Sequence, residues 1–185
     1  MVLYNCDGIG GGFNMSGWKI GIITASDSIA GGEREDDRIQ LVRGLVKQHL
    51  HTENIIYRCL PDDMEELKEH MIELVDREKC DILITTGGTG LSPRDVTPEV
   101  TSWVIDRPVP GLAEEMRRAG LKQSRRAMLT RAVAGTRGNS LIFNLPGNPK
   151  GVEVCFIAIA DMLPDAVHIL QGSEEAGEDW GGIGW

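Results

Sequence analysis

The segment Thr85 to Glu99, TTGGTGLSPRDVTPE, gathers residue types suited to handling phosphate groups. Gly87, Gly88 and Gly90 lack a Cβ where a backbone must turn tightly or let a ligand approach its N–H groups. Thr97 suits an N-cap and Pro98 suits the first helical turn, so a helix is expected to open there with its positive end toward the glycines. A carboxylate among such donors, Asp95, calls for a metal or a cationic group to balance it. The loop reads as an anion pocket. The alternative is a tight turn whose Asp caps a neighbouring helix. Neither the Gly-Lys-Ser/Thr of a Walker-type loop nor the G-x-G-x-x-G of a dinucleotide-binding turn is present.

A second block, Asn144-Leu145-Pro146-Gly147-Asn148-Pro149-Lys150-Gly151, repeats the design, because Asn148 can cap and Pro149 can open a helix. Lys150 and Arg94 are basic residues beside turns, either simply solvated or available to an anion.

The elements that must position these blocks alternate in type. Trp18 to Thr24 is an apolar first strand, followed by the polar loop Ser26 to Asp36. From Asp37, residues Ile39, Leu41, Val42, Leu45, Val46 and Leu50 recur at helical spacing, and Glu53 to Cys59 returns to a strand pattern. Pro61-Asp62-Asp63 ends that strand, and Asp63 with Glu66 resembles a capping box for a helix whose core face is Met64, Leu67, Met71, Leu74 and Val75. Asp81 to Ile84 is a short buried strand that delivers the glycine loop. Helices are expected over Thr97 to Asp106 and Leu112 to Leu121. Arg131 to Ala134 and Ser140 to Phe143 read as strands joined by a hairpin at Gly135 to Gly138. A last helix continues through Val152, Cys155, Phe156, Ile159, Leu163 and Val167. This succession predicts a three-layer α/β/α sandwich with a mostly parallel sheet and one antiparallel edge strand. Ligands in such sheets favour the carboxyl ends of the strands.

The 185 residues suit one domain, placed here at 18–171, with a Gly-rich arm at 1–17 and a loose acidic tail at 172–185 carrying Trp180 and Trp185. The formal net charge of −9 and scattered basic residues argue against a nucleic-acid footprint or attraction to anionic lipid. No apolar run approaches the ~20 residues that cross a bilayer, and a cytoplasmic location is expected. Cys6, Cys59, Cys80 and Cys155 signal neither a zinc site nor a disulfide framework, and Cys59, Cys80 and Cys155, in apolar surroundings, read as reduced packing residues; His49, His51, His70 and His168 read as surface or structural.

TTGGTG followed by RDVTPE, with LPGNPKG after the last strand, resembles the MogA/MoaB family of molybdenum cofactor biosynthesis proteins, the molybdopterin adenylyltransferases, which include the G domain of gephyrin. The resemblance covers roughly Trp18 to Gln171. It implies a molybdopterin-binding-like fold, a homotrimer, ATP with Mg²⁺ and molybdopterin as substrates, and a molybdenum insertase as partner. It places the two essential aspartates at Asp62 and Asp95, as catalytic residues and candidates for Mg²⁺ binding or substrate orientation. Ser26 and Asp27 match the family's Ser-Asp after the first strand, and Pro146 and Gly147 match its proline-glycine turn. Thr86, Gly87, Gly88, Thr89 and Gly90 would approach the nucleotide, with Ser140 and Lys150 near the pterin or its phosphate. One departure stands out: members often carry Asp-x-Ser-Gly at the first helix, whereas this chain has Asp36-Asp37-Arg38-Ile39, with Arg38 where serine is usual. The rival functions are a non-catalytic molybdopterin-binding trimer and a nucleotide pyrophosphatase of the CinA kind.

Overall fold

A computed structural model describes residues 17–172. The readings placed on the arm, on Cys6 and on the two tail tryptophans lie outside the described residues. Strand β1 (Ile20–Ala25) is followed by a one-turn helix α1 (Asp27–Ala30), helix α2 (Asp37–Leu50), β2 (Ile55–Leu60) and α3 (Met64–Ile72). Then come β3 (Ile82–Thr86), α4 (Thr97–Val104), a two-residue β4 (Arg107–Pro108), α5 (Pro110–Leu121), β5 (Ala134–Arg137), β6 (Ser140–Leu145), α6 (Pro149–Ile159) and α7 (Leu163–Gln171).

The sheet order is β2-β1-β3-β6-β5-β4. The pairs β1 with β2, β1 with β3 and β3 with β6 are parallel; β5 runs antiparallel to both β6 and β4. Alternation along the strands sorts side chains to the two faces, as a pleated strand requires. Ile20, Ile22, Ile82, Ile84, Leu141, Phe143 and Leu145 pack with the apolar faces of α2, α5, α6 and α7. Ile23, Ala25, Leu83 and Ile142 pack with Leu67 and Met71 of α3 and Val100 and Val104 of α4. Both faces of the central strands are covered, which explains their continuous apolar runs. The expected three-layer sandwich is therefore the architecture.

Two local expectations are corrected. Residues Gly135 to Arg137 belong to β5 instead of a turn, and the hairpin tightens to Gly138-Asn139. A Cβ on Gly135 would lie 2.7 Å from the Arg107 carbonyl oxygen and 2.6 Å from Ile105 Cδ1. That glycine marks a close strand approach, which lets Arg107 and Pro108 pair as an edge strand. Thr97 also does not cap α4. Val96 holds the cap position without a side-chain bond, while the Thr97 N–H donates to the Gly88 carbonyl at 3.1 Å and draws Thr97 into the first turn with Pro98.

The other caps follow the sequence. Asp63 accepts from the N–H groups of Glu65 and Glu66 at 3.0 Å, and Asn148 accepts from Gly151 N–H at 2.7 Å. Cys80 and Cys155 are buried and Cys59 half-buried, all as free thiols. Burial pushes the Cys80 thiol up to about 12 and the Cys155 thiol up to about 11, so both behave as packing residues.

Candidate active site

Because β1, β2, β3 and β6 are parallel, Ala25, Leu60, Thr86 and Leu145 end side by side and release four loops at one sheet edge. Their backbones lock together. Ser26 N–H donates to the Leu60 carbonyl at 2.9 Å, Gly87 N–H to Leu145 at 3.3 Å, and the Thr86 hydroxyl to Pro146 at 3.0 Å. The tight passage needs glycine. Gly87 and Gly88 have φ of +96° and +60°, and a Cβ on Gly87 would sit 2.2 Å from the Ala25 carbonyl oxygen.

Asp62 and Asp27 meet reciprocally across this edge. Asp62 N–H donates to Asp27 Oδ1 at 2.9 Å, and Asp27 N–H reaches Asp62 Oδ2 at 3.3 Å. Arg94 grips the Asp27 carboxylate from the glycine loop, with Nη2 at 2.7 and 2.8 Å and Nε at 3.1 Å from its two oxygens. The guanidinium hydrogen bonds hold the Asp27 carboxyl below its ordinary value. Asp62 shifts the other way: burial raises its carboxyl, and the charges of Asp27 and Asp95 add to the rise against the Asp27 N–H bond.

Asp62 Oδ1 is buried and finds no hydrogen-bond partner among the described residues; Thr97 Oγ1 is in the same condition. Both face one spot. A Cβ on Gly88 would lie 2.9 Å from Asp62 Oδ1 and 2.4 Å from Thr97 Oγ1. The glycine thus leaves an ionisable oxygen bare beside the loop, an expensive arrangement unless a cation or donor joins it. Asp95 folds back over Gly90 and accepts from Ser92 N–H at 2.8 Å.

Arg131, which carried no signal in the sequence, holds this loop. Its Nε donates to the Gly90 carbonyl at 2.7 Å and Nη2 to the Asp95 carbonyl at 2.5 Å; Nη1 pairs with Glu99, and the Arg131 N–H donates to Thr89 at 2.9 Å. Three of these four acceptors are main-chain carbonyls, which no residue pattern reveals.

The candidates of the sequence thus divide. Ser26, Asp27, Asp62, Thr86, Gly87, Gly88, Thr89, Gly90, Asp95, Pro146 and Gly147 lie on the loops of one edge. Lys150 lies in the first turn of α6 on the rim of a neighbouring cavity of about 310 Å³, shared with Arg117, Arg126, Thr130 and Pro146. Ser140 is not with them. It begins β6, one residue before Leu141 pairs with Ile82 at the start of β3, and its hydroxyl is spent on the Cys80 carbonyl at 2.6 Å. It sits at the amino edge of the sheet, a strand length from the glycines.

The family model described as "Probable molybdopterin binding domain" matches residues 21–165. The chain belongs to that family. The molybdopterin adenylyltransferase of Helicobacter pylori strain 26695 is 36% identical over 155 residues, covering 83% of this chain and 88% of that protein. The molybdenum cofactor synthesis protein cinnamon of Drosophila melanogaster is 35% identical over 156 residues, and the chain spans 26% of its length. The crystal structure of the molybdopterin biosynthesis enzyme MoaB from Thermus thermophilus superposes with a TM-score of 0.79 at 42% identity, covering 84% of this chain and 98% of that one.

Proposed function

We propose that the chain is a molybdopterin adenylyltransferase, moving AMP from ATP to the phosphate of molybdopterin. The name of its H. pylori relative supports the reading. The observation that carries it is the bare, buried Asp62 Oδ1 facing Gly88 at the edge where four strands release their loops. A molybdopterin phosphate oxygen attacks the α-phosphorus of ATP; the bond from that phosphorus to the bridging oxygen breaks and pyrophosphate departs with its electron pair. No protein nucleophile is needed, so the residues act by orienting two anions and offsetting their repulsion.

In this reading the turn from Thr86 to Gly90 approaches the nucleotide. Lys150, on the rim of the adjoining cavity, meets the phosphate of the pterin. The donor set suits a hard cation: Asp62 offers an unspent anionic oxygen and Asp95 a second carboxylate. Among the described residues no group of three or more His, Cys, Asp or Glu side chains could hold a metal. That is compatible with Mg²⁺, which commonly binds one or two carboxylates together with waters and substrate phosphates. When bound, Mg²⁺ supplies charge neutralisation to the phosphates.

Assembly as a homotrimer, hand-over of product to a molybdenum insertase and a cytoplasmic site of action belong to the same reading. No helix among the described residues is long and apolar enough to cross a membrane. Sedimentation of the purified chain checks the trimer. The deciding assay supplies protein, Mg²⁺, ATP and molybdopterin and follows pyrophosphate release with formation of adenylylated molybdopterin. Tight binding of molybdopterin with no pyrophosphate released would instead identify a binding protein.

A further inference from the structure

The first turn of α2 holds a buried cation that the reaction described above leaves unused. Arg38 is 3% exposed. Its Nε donates to Asp36 Oδ1 at 3.1 Å, and among the described residues Nη1 reaches only the Gly147 carbonyl, at a long 3.4 Å. Nη2 is buried with no hydrogen-bond partner among the described residues. A guanidinium carries five N–H donors in a rigid fork matched to phosphate oxygens, so most of this fork is unspent.

Its carboxylate partner, by contrast, is saturated. Asp36 Oδ2 accepts from the Thr24 and Tyr57 hydroxyls at 2.6 and 2.7 Å, and Oδ1 accepts from both Nε and the backbone N–H of Arg38 at 3.1 Å. Burial alone raises the Asp36 carboxyl, but those hydroxyls and the guanidinium outweigh it and keep it below the ordinary value. The ion pair therefore accounts for Nε and leaves the two Nη atoms unexplained. Those atoms underlie the site. A Cβ on Gly87 would lie 3.0 Å from Nη1 and one on Gly147 would lie 3.5 Å from it. The absence of both side chains lets the cation lie directly beneath the glycine turn and the Pro146-Gly147 turn.

We propose that Arg38 is a substrate-binding residue that donates from its Nη atoms to a phosphoryl oxygen of a polyphosphate seated between the Gly87 and Gly147 turns. The oxygen replaces the Gly147 carbonyl as acceptor, which requires that exposed turn to move away from Nη1. The polyphosphate's identity as ATP rests on the adenylyltransferase reading; the site's preference for a polyphosphate does not. A guanidinium fixed from beneath distinguishes this chain from the serine-bearing pattern that it otherwise resembles.

Calorimetric titration of the full chain with inorganic pyrophosphate, and separately with ATP, tests the assignment. Arg38→Gln keeps the aliphatic stem and a neutral amide at about the depth of Nε, and removes the charge together with both Nη donors. It is expected to weaken pyrophosphate binding by about 10- to 100-fold, the range of one lost charged hydrogen bond. The KM for ATP should rise by a similar factor while kcat at saturation falls less, a split that a purely structural ion pair would not produce. If Arg38→Gln fails to fold, the double variant Asp36→Asn with Arg38→Ser removes both buried charges and is titrated in its place. Unchanged pyrophosphate affinity in a folded variant, or no affinity in the parent chain, overturns the proposal. Polyphosphate binding that depends on Arg38 without AMP transfer keeps it and sinks the adenylyltransferase reading. Transfer with an unaltered KM in Arg38→Gln does the reverse.

Discussion

At the scale of single residues, the Asp27 and Asp62 carboxyls are shifted in opposite directions, and the rise at Asp62 has a measurable consequence. Asp62 has its carboxyl raised by burial and by the Asp27 and Asp95 charges. An acid whose pKa is higher in the fold than in the unfolded chain opposes folding once it ionises. Its cost is absent at low pH, grows as pH climbs from the ordinary carboxylate value through the raised one, and is full at neutrality. Asp62→Asn keeps an oxygen for the Asp27 N–H and removes that cost. It is therefore expected to melt higher than the parent near pH 7, with the gap closing below the ordinary carboxylate range, while AMP transfer is lost. A lower melting temperature at neutral pH would show that Asp62 stabilises the fold instead of serving a ligand. Asp95→Asn tests a different point. Its Oδ2 accepts from Ser92 N–H, a bond that asparagine can keep, so the loop should survive and transfer should fall by at least about 100-fold, as for loss of an electrostatic contact in a transition state. Retained turnover would remove Asp95 from the chemistry.

At the scale of elements, the strand, glycine loop and helix start around Thr85 to Glu99 were legible because each has a local cause: apolar β-branched residues, missing Cβ atoms, a proline in the first turn. The clamp on that loop was not. Arg131 lies 41 and 36 residues beyond Gly90 and Asp95 and bonds mainly to backbone carbonyls, so its role exists only once β6 and β3 are neighbours. For the same reason Gly135 read as a turn, although its missing Cβ serves a long-range approach to Arg107. The clamp predicts a graded series. Arg131→Lys keeps the charge toward Glu99 but cannot fork between Gly90 and Asp95. Its turnover should drop by roughly 10-fold and that of Arg131→Ala by more, consistent with the charged hydrogen bonds forfeited. Added guanidinium ion should restore part of the activity of the alanine variant. If both variants turn over like the parent, the loop holds its shape without the clamp.

At the scale of the whole molecule, the parallel sheet separates two edges that a sequence reading sees only as strand ends. The carboxyl edge carries the bare Asp62 oxygen, the left-handed glycines and the buried Arg38. The amino edge carries Ser140, whose hydroxyl is closed on the Cys80 carbonyl. The family resemblance put Ser140 near the pterin or its phosphate, whereas strand direction sets it at the edge opposite the glycine loop. The two edges should answer differently to the loss of one hydroxyl. Ser140→Ala removes a buried donor and should cost about 1–2 kcal/mol, lowering the melting temperature by several degrees, with KM and kcat unchanged. Thr86→Val removes the hydroxyl that ties β3 to the Pro146 turn. Because that turn borders the Arg38 fork and the rim of the Lys150 cavity, its release should raise KM for one or both substrates beyond what the change in melting temperature accounts for. A Ser140→Ala enzyme with an altered KM would return that residue to substrate binding and overturn the confinement of the site to the four loop ends of one edge.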